Sequence, residues 1–143
     1  GKDSSSVENY VLIANELRIG NLLYNDNVIV KIDARSIFDI WDDKGIKTYK
    51  PIPLTEEFLL KFGFEFESKD EYTGLTYYEI KYVNSISQTN IISIDSDKLV
   101  QITEEDDKIN YINLCTIKYV HELQNIYFCL CGKELTLNKT NDK

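Results

Sequence analysis

The sequence predicts an α+β protein. It would hold a strongly bent, mostly antiparallel sheet, barrel-like at its N-terminal end, with one short helix inserted and an amphipathic helix packed on it at the C-terminal end. Three observations carry this expectation. Runs in which apolar and polar residues alternate recur along the chain, divided by Asn, Asp and Gly clusters, which is the pattern of half-buried antiparallel strands. PIPLTEEFLLKFGFEFE breaks that pattern with helix-start and helix-stop residues. IKYVHELQNIYF, residues 117–128, spaces its apolar side chains at a helical rather than a strand period.

The first element is a hairpin within LRIGNLLYNDNVIVKIDARSIFDIW, two strand-like runs around the turn cluster Asn25-Asp26-Asn27. In the second run Val28, Val30, Ile32 and Ala34 alternate with Ile29, Lys31, Asp33 and Arg35. Trp41 then stands where the strand gives way to an exposed loop beginning Asp42-Asp43-Lys44-Gly45. Pro51 and Pro53 hold the next approach extended. Thr55 can cap a helix over about 56–62 whose positive end favours Glu56 and Glu57, and Gly63 can take the left-handed position after it. Phe58, Leu59 and Phe62 form its buried stripe.

FEFES and LTYYEIKYV flank the turn-rich KDEYTG as a second hairpin. Tyr78, Ile80 and Tyr82 share one face of it, and Tyr77, Glu79 and Lys81 share the other. NIISIDSD, KLVQIT and KINYINLC read as further strands, the last two joined across Glu104-Glu105-Asp106-Asp107. In the final helix, 117–131, the stripe Tyr119, Val120, Leu123, Ile126, Tyr127 and Leu130 faces the core. Lys118, Glu122, Asn125 and Cys129 point away, with Lys118 and Glu122 spaced for a salt bridge and Gly132 as the stop. His121, the single histidine, falls on the boundary beside Gln124, Asn125 and Phe128.

At 143 residues one core suffices, so a single domain over 11–137 is expected between flexible polar tails at 1–10 and 138–143. A hydrophobic share of 43% is too high for a disordered chain. The formal charge of −8, from 24 acidic against 16 basic residues, works against direct nucleic-acid binding, and the lysines are dispersed rather than clustered. No apolar run reaches the roughly 18 residues of a membrane span, and GKDSSSVENY lacks a signal-peptide core, so a cytoplasmic protein with no membrane partner is expected. Three cysteines do not make a disulfide framework.

No catalytic residue is assigned, because GxSxG, HExxH, P-loop and GxGxxG signatures are absent and His121 has no sequence-local nucleophile. No metal or cofactor is expected either. On a helix Cys129 and Cys131 stand about 200° apart around the axis and His121 lies about 12 Å along it, too far for one tetrahedral zinc. Cys115, Cys129 and Cys131 read as small buried or half-exposed hydrophobes, and Asp95-Ser96-Asp97 reads as a turn. Candidate partner contacts are Trp41, Asp42, Asp43, Glu104, Glu105, Asp106, Asp107, His121 and Asn125.

The blocks ANELRIGNLLY, PIPLTEEFLLKFGFE and IKYVHELQNIYFCLCGKELTL, in that order, resemble an uncharacterised family of small bacterial, phage and prophage proteins. The resemblance implies a mobile-element context, in which small acidic proteins often bind or block a host protein. Cys129 and Cys131 stand where such sequences commonly carry other residues, so no thiol or metal function follows from it. The reading it favours is a non-enzymatic module whose acidic, aromatic surface engages a basic host protein, such as a nucleic-acid-processing or defence factor. The alternative is a small enzyme or ligand-binding domain with a pocket near His121.

Overall fold

The computed structural model describes residues 14–42 and 48–137. The expected tails 1–10 and 138–143, and Asp43, lie outside the described residues. The chain is α+β and divides into two compact units between Ile52 and Pro53.

In the first unit a single 3-10 turn, Ala14–Glu16, precedes strands β1 (Leu22–Asn25) and β2 (Val28–Lys31), helix α1 (Ala34–Trp41) and the short β3 (Tyr49–Lys50). The hairpin is the one read from the sequence. Asp26 and Asn27 take φ of 54° and 71°, the two consecutive positive values that a two-residue turn matching strand twist demands and that Asp and Asn tolerate. The strand expected to run on to Arg35 stops at Lys31. Asp33 takes an extended backbone and its carboxylate accepts from the Ser36 amide at 3.0 Å, while Ser36 Oγ accepts from the Asp33 amide at 3.3 Å, and this reciprocal cap starts α1. Leu23, Ile32 and Ile40 form the small core, with Leu17, Val30, Ile37 and Tyr49 against it. The three strands, in order β2-β1-β3, make an open sheet rather than the expected barrel-like end; four-residue strands and a two-residue third are too few and too short to close.

The second unit begins with helix α2 (Glu56–Lys61) and continues as β4 (Glu65–Lys69), β5 (Thr76–Val83), β6 (Thr89–Asp95), β7 (Leu99–Glu104), β8 (Asp107–Thr116) and helix α3 (Val120–Cys131). The five strands form one antiparallel meander in sequence order. Thr55 Oγ1 caps α2 by accepting from the Phe58 amide, and Gly63, at φ 102°, ends it where an added Cβ would rest 3.7 Å from Ile80 Cδ1. Leu59 and Phe62 are buried as expected, and Glu56 hydrogen-bonds Tyr78. Register aligns Tyr78 with Ile94 and Val100, and Ile80 with Ile92 and Ile102, so one sheet face carries the core.

Helix α3 begins three residues later than its periodicity predicts. Ile117 to Tyr119 stay extended: the Leu54 amide donates to the Lys118 carbonyl at 2.9 Å, and Tyr119 bridges Pro53. Glu122 does not form the predicted salt bridge with Lys118. Its Oε1 accepts from the backbone amides of Lys118 at 2.8 Å and Tyr119 at 2.9 Å, satisfying donors at the helix entry. Gly132, at φ 75°, closes the helix as expected. Among the described residues no helix is long and apolar enough to cross a membrane.

Candidate partner-binding groove

The face of the meander opposite the core is polar and open. It follows from strict alternation: with Tyr78, Ile80 and Tyr82 turned inward, Tyr77, Glu79 and Lys81 turn out. Register extends this face across the sheet. Ser68 lies opposite Tyr77, Glu65 opposite Glu79, Ser93 between Glu79 and Gln101, and Thr103 between Ile91 and Tyr111. Together with Glu67 these side chains line a groove of about 220 Å³. Tyr77 and Tyr111 stand in its walls and Ile91, 1% exposed, makes an apolar floor. Irregularities occur in both strand pairs at the sheet's edges, at Phe66/Ser68 in β4 and at Val100/Gln101 and Thr103/Glu104 opposite β8, and such irregularities bend and twist a strand locally.

The groove's electrostatics are negative. Glu65, Glu67 and Glu79 occupy this region, and the nearby cation, Lys81, is held by Glu105 with Nζ and Oε2 2.8 Å apart. That hydrogen bond, with the added attraction of Glu79 and Glu65, pushes the Lys81 ammonium above its ordinary value, so it stays charged and matched. Tyr77 is likewise pushed up, first by loss of solvent and then by the charges of Asp95, Asp70 and Glu67. Its phenol is therefore a neutral donor in an acidic setting. Gln101 Nε2 donates to Asn113 Oδ1 at 2.7 Å, fixing the amide pair beside Tyr111.

The residues expected to meet a partner are divided between the two units. Glu104 and Asp107 pair as the last rung of β7–β8, with Glu105 and Asp106 at the tip. Asn110 Nδ2 donates to Asp107 Oδ2 at 2.9 Å and holds that carboxyl below its usual range, so it remains ionised. This acidic tip belongs to the same sheet as the groove. Trp41 belongs to the other unit and ends helix α1 rather than a strand; it is 67% exposed, its ring 5.8 Å from that of Phe38. Asp42 caps the same helix, its amide donating to the Phe38 carbonyl at 2.8 Å.

His121 is a correction. Expected at the boundary of its helix as a partner contact, it is 0% exposed, stacked on Tyr119. Because α3 starts at Val120, its buried side is Val120, His121, Leu123 and Gln124, and the two polar residues belong to the packed stripe. Gln124 meets the requirement of burial by donating to the Leu135 carbonyl at 3.4 Å. Asn125 is half-buried.

The cysteines are also more exposed than expected: Cys115 and Cys129 lie at the surface and Cys131 is half-buried, its thiol 3.3 Å from the Tyr127 carbonyl. Asp95-Ser96-Asp97 is the turn it was read as, with Asp95 Oδ1 accepting from the amides of Asp97 and Leu99. Among the described residues no group of three or more His, Cys, Asp or Glu side chains is placed to hold a metal ion.

Comparison with protein-family models, curated proteins and solved structures finds no match to this chain. The groove residues Tyr77, Tyr111, Glu67 and Gln101 were not singled out by motif or composition. The outward face of Tyr77 and Glu79 was legible as alternation; its meeting with Tyr111, 34 residues on, depends on strand registers and a bulge that leave no local signal.

Proposed function

We propose that this protein is a non-enzymatic interaction module that seats a basic segment of a host protein in the groove between Tyr77 and Tyr111. The observation that carries the reading is the combination in one open groove of two tyrosines, the carboxylates of Glu67 and Glu79 and an apolar floor. A guanidinium or ammonium finds there what it needs: carboxylate oxygens for charge-assisted hydrogen bonds, and ring faces for stacking. The acidic tip Glu104–Asp107 and the overall charge of −8 add a field that draws a basic partner in and repels nucleic acid. The resemblance to phage and prophage proteins fits a target among nucleic-acid-processing or defence factors of the bacterial cytoplasm. The competing reading, a small enzyme or ligand-binding domain with a pocket near His121, is the less favoured one, since the imidazole is 0% exposed.

The test is affinity capture from lysate of the natural host at low and high salt, with Tyr77→Ala/Tyr111→Ala as the control bait. The expected result is a basic protein retained by the wild type, released by salt, and held about ten-fold or more weakly by the variant, as befits aromatic hot spots. Equal retention by both baits would remove the groove from the account.

A further inference from the structure

One row of outward side chains crosses the whole meander. Glu65 on β4 lies opposite Glu79 on β5, Glu79 opposite Ser93 on β6, Ser93 opposite Gln101 on β7, and Gln101 opposite Asn113 on β8. Glu79, Ser93 and Gln101 also line the groove. From β4 to β8 the row thus passes from two carboxylates through a hydroxyl to two amides. Glu65 and Glu79 are like charges directly opposite each other, an arrangement that repels and that a bridging cation relieves. At the other end Gln101 Nε2 donates to Asn113 Oδ1 at 2.7 Å, so the pair still offers an acceptor, Gln101 Oε1, and a donor, Asn113 Nδ2. Tyr77 precedes Glu79 by two residues and Tyr111 precedes Asn113 by two, and β5 and β8 run in opposite directions. The tyrosines therefore flank the row on opposite sides, Tyr77 at its acidic end and Tyr111 at its amide end.

We propose that the occupant of the groove is an extended segment lying across the strands along this row, with an arginine over Glu65 and Glu79 and a glutamine four residues away over Gln101 and Asn113. The inference rests on the reading of the groove as the seat of a basic segment and adds the order and spacing of the side chains recognised. With neighbouring strands about 4.8 Å apart, the middle of the carboxylate pair lies about 14 Å from the middle of the amide pair. Four residues of an extended chain span about 13–14 Å, and residues four apart in it share a face. The residue midway between them falls over Ser93. A guanidinium is a planar fork that donates to two carboxylates in fixed geometry, whereas an ammonium is a point charge. A glutamine amide carries one acceptor and a donor pair, the complement of what Gln101 and Asn113 offer.

Nuclear magnetic resonance of the isotope-labelled full chain, titrated with capped peptides that carry arginine and glutamine four residues apart in a serine-threonine frame, tests this. The expected result is saturable shifts at the Glu79 and Gln101 amides, with a dissociation constant below about 1 mM at low salt. Binding should weaken about five-fold or more when the glutamine stands three residues from the arginine, which turns it to the other face, when lysine replaces arginine, and on Glu65→Gln/Glu79→Gln. That double variant removes a repulsion, so its melting temperature should not fall. Gln101→Ala should weaken the arginine-glutamine peptide and leave unchanged a peptide with alanine in place of the glutamine. No saturation at about 5 mM peptide overturns the proposal, as does equal affinity for both spacings, or a Gln101→Ala effect that persists without the peptide glutamine. Shifts of the same amides with chain concentration alone assign the row to a second copy and overturn it too. Capture of the host protein that still depends on Tyr77 and Tyr111, beside peptides bound without regard to spacing, rejects this inference and spares the reading of the groove. Correct peptide discrimination beside capture indifferent to both tyrosines does the reverse.

Discussion

The Tyr119 ring lies on the His121 imidazole with centroids 6.0 Å apart and planes inclined by only 10°. Tyr119 is the residue before α3 and His121 the second within it, so the stack clamps the helix entry. The same turn is held by Glu122, and its inward neighbours Val120 and Leu123 are 0% exposed. His121 is thus part of how α3 is anchored.

His121→Ala is therefore expected to act on stability and not on partner capture. The cost should be about 2 kcal/mol or more, comparable with the about 2–5 kcal/mol expected of Leu123→Ala, since both leave cavities in a packed interior. Urea unfolding followed by circular dichroism, alongside the capture assay, separates the two effects. A His121→Ala protein that unfolds like the wild type yet loses its partner would return the imidazole to a surface role.

Glu122→Ala removes the acceptor for two backbone amides at the start of α3 and should cost about 1 kcal/mol. Glu122→Gln keeps an acceptor oxygen and should recover much of that loss. If the relevant partner of Glu122 were the Lys118 ammonium, Gln would do no better than Ala in a thermal melt.

The β5–β6 turn offers a paired prediction. Asn84 Oδ1 accepts from the amides of Ile86 at 3.0 Å and Gln88 at 2.9 Å, while Ser87 sits at φ 66°, a conformation unfavourable to any residue with a Cβ. Ser87→Gly should stabilise by about 0.5–1 kcal/mol and Asn84→Ala should destabilise by about 1 kcal/mol. Opposite signs in the two denaturation midpoints are the outcome that supports the turn geometry.

Alkaline pH probes the contact between α2 and the sheet. The hydrogen bond to Glu56 and the burial of the phenol push Tyr78 up to about 12, from an ordinary value near 10. The unfolded chain ionises this tyrosine first, so the stability it contributes is whole below about pH 10 and is lost as pH rises toward 12. Tyr78→Phe should flatten the fall of stability across that window. Absorbance near 295 nm should show the Tyr78 phenolate forming late in the wild type.

Much of the secondary structure was readable because its causes are local. The Asp26-Asn27 turn, the Thr55 cap, the two glycine stops at 63 and 132, and the β4–β8 alternation all rest on the conformational preferences of a few adjacent residues. Helix α1 was missed for an equally physical reason. Val28 to Arg35 alternates like a strand, yet the reciprocal hydrogen bonds between Asp33 and Ser36 turn the chain into a helix two residues past the end of β2.

By itself the sequence determined the α+β class, the succession of strands β4 to β8, the acidic charge and the division of β5 into a Tyr78-Ile80-Tyr82 face and a Tyr77-Glu79-Lys81 face, because composition and side-chain period act within a segment. Only the tertiary structure decided that His121 is interior, that Tyr77 and Tyr111 share one groove, and that β4 and β8 are the two edges of the five-stranded sheet. Those outcomes depend on which strands pair, in what register, and where α3 begins. These are set by contacts between residues far apart in the chain, and a slip of one residue would turn every side chain on a strand to the other face.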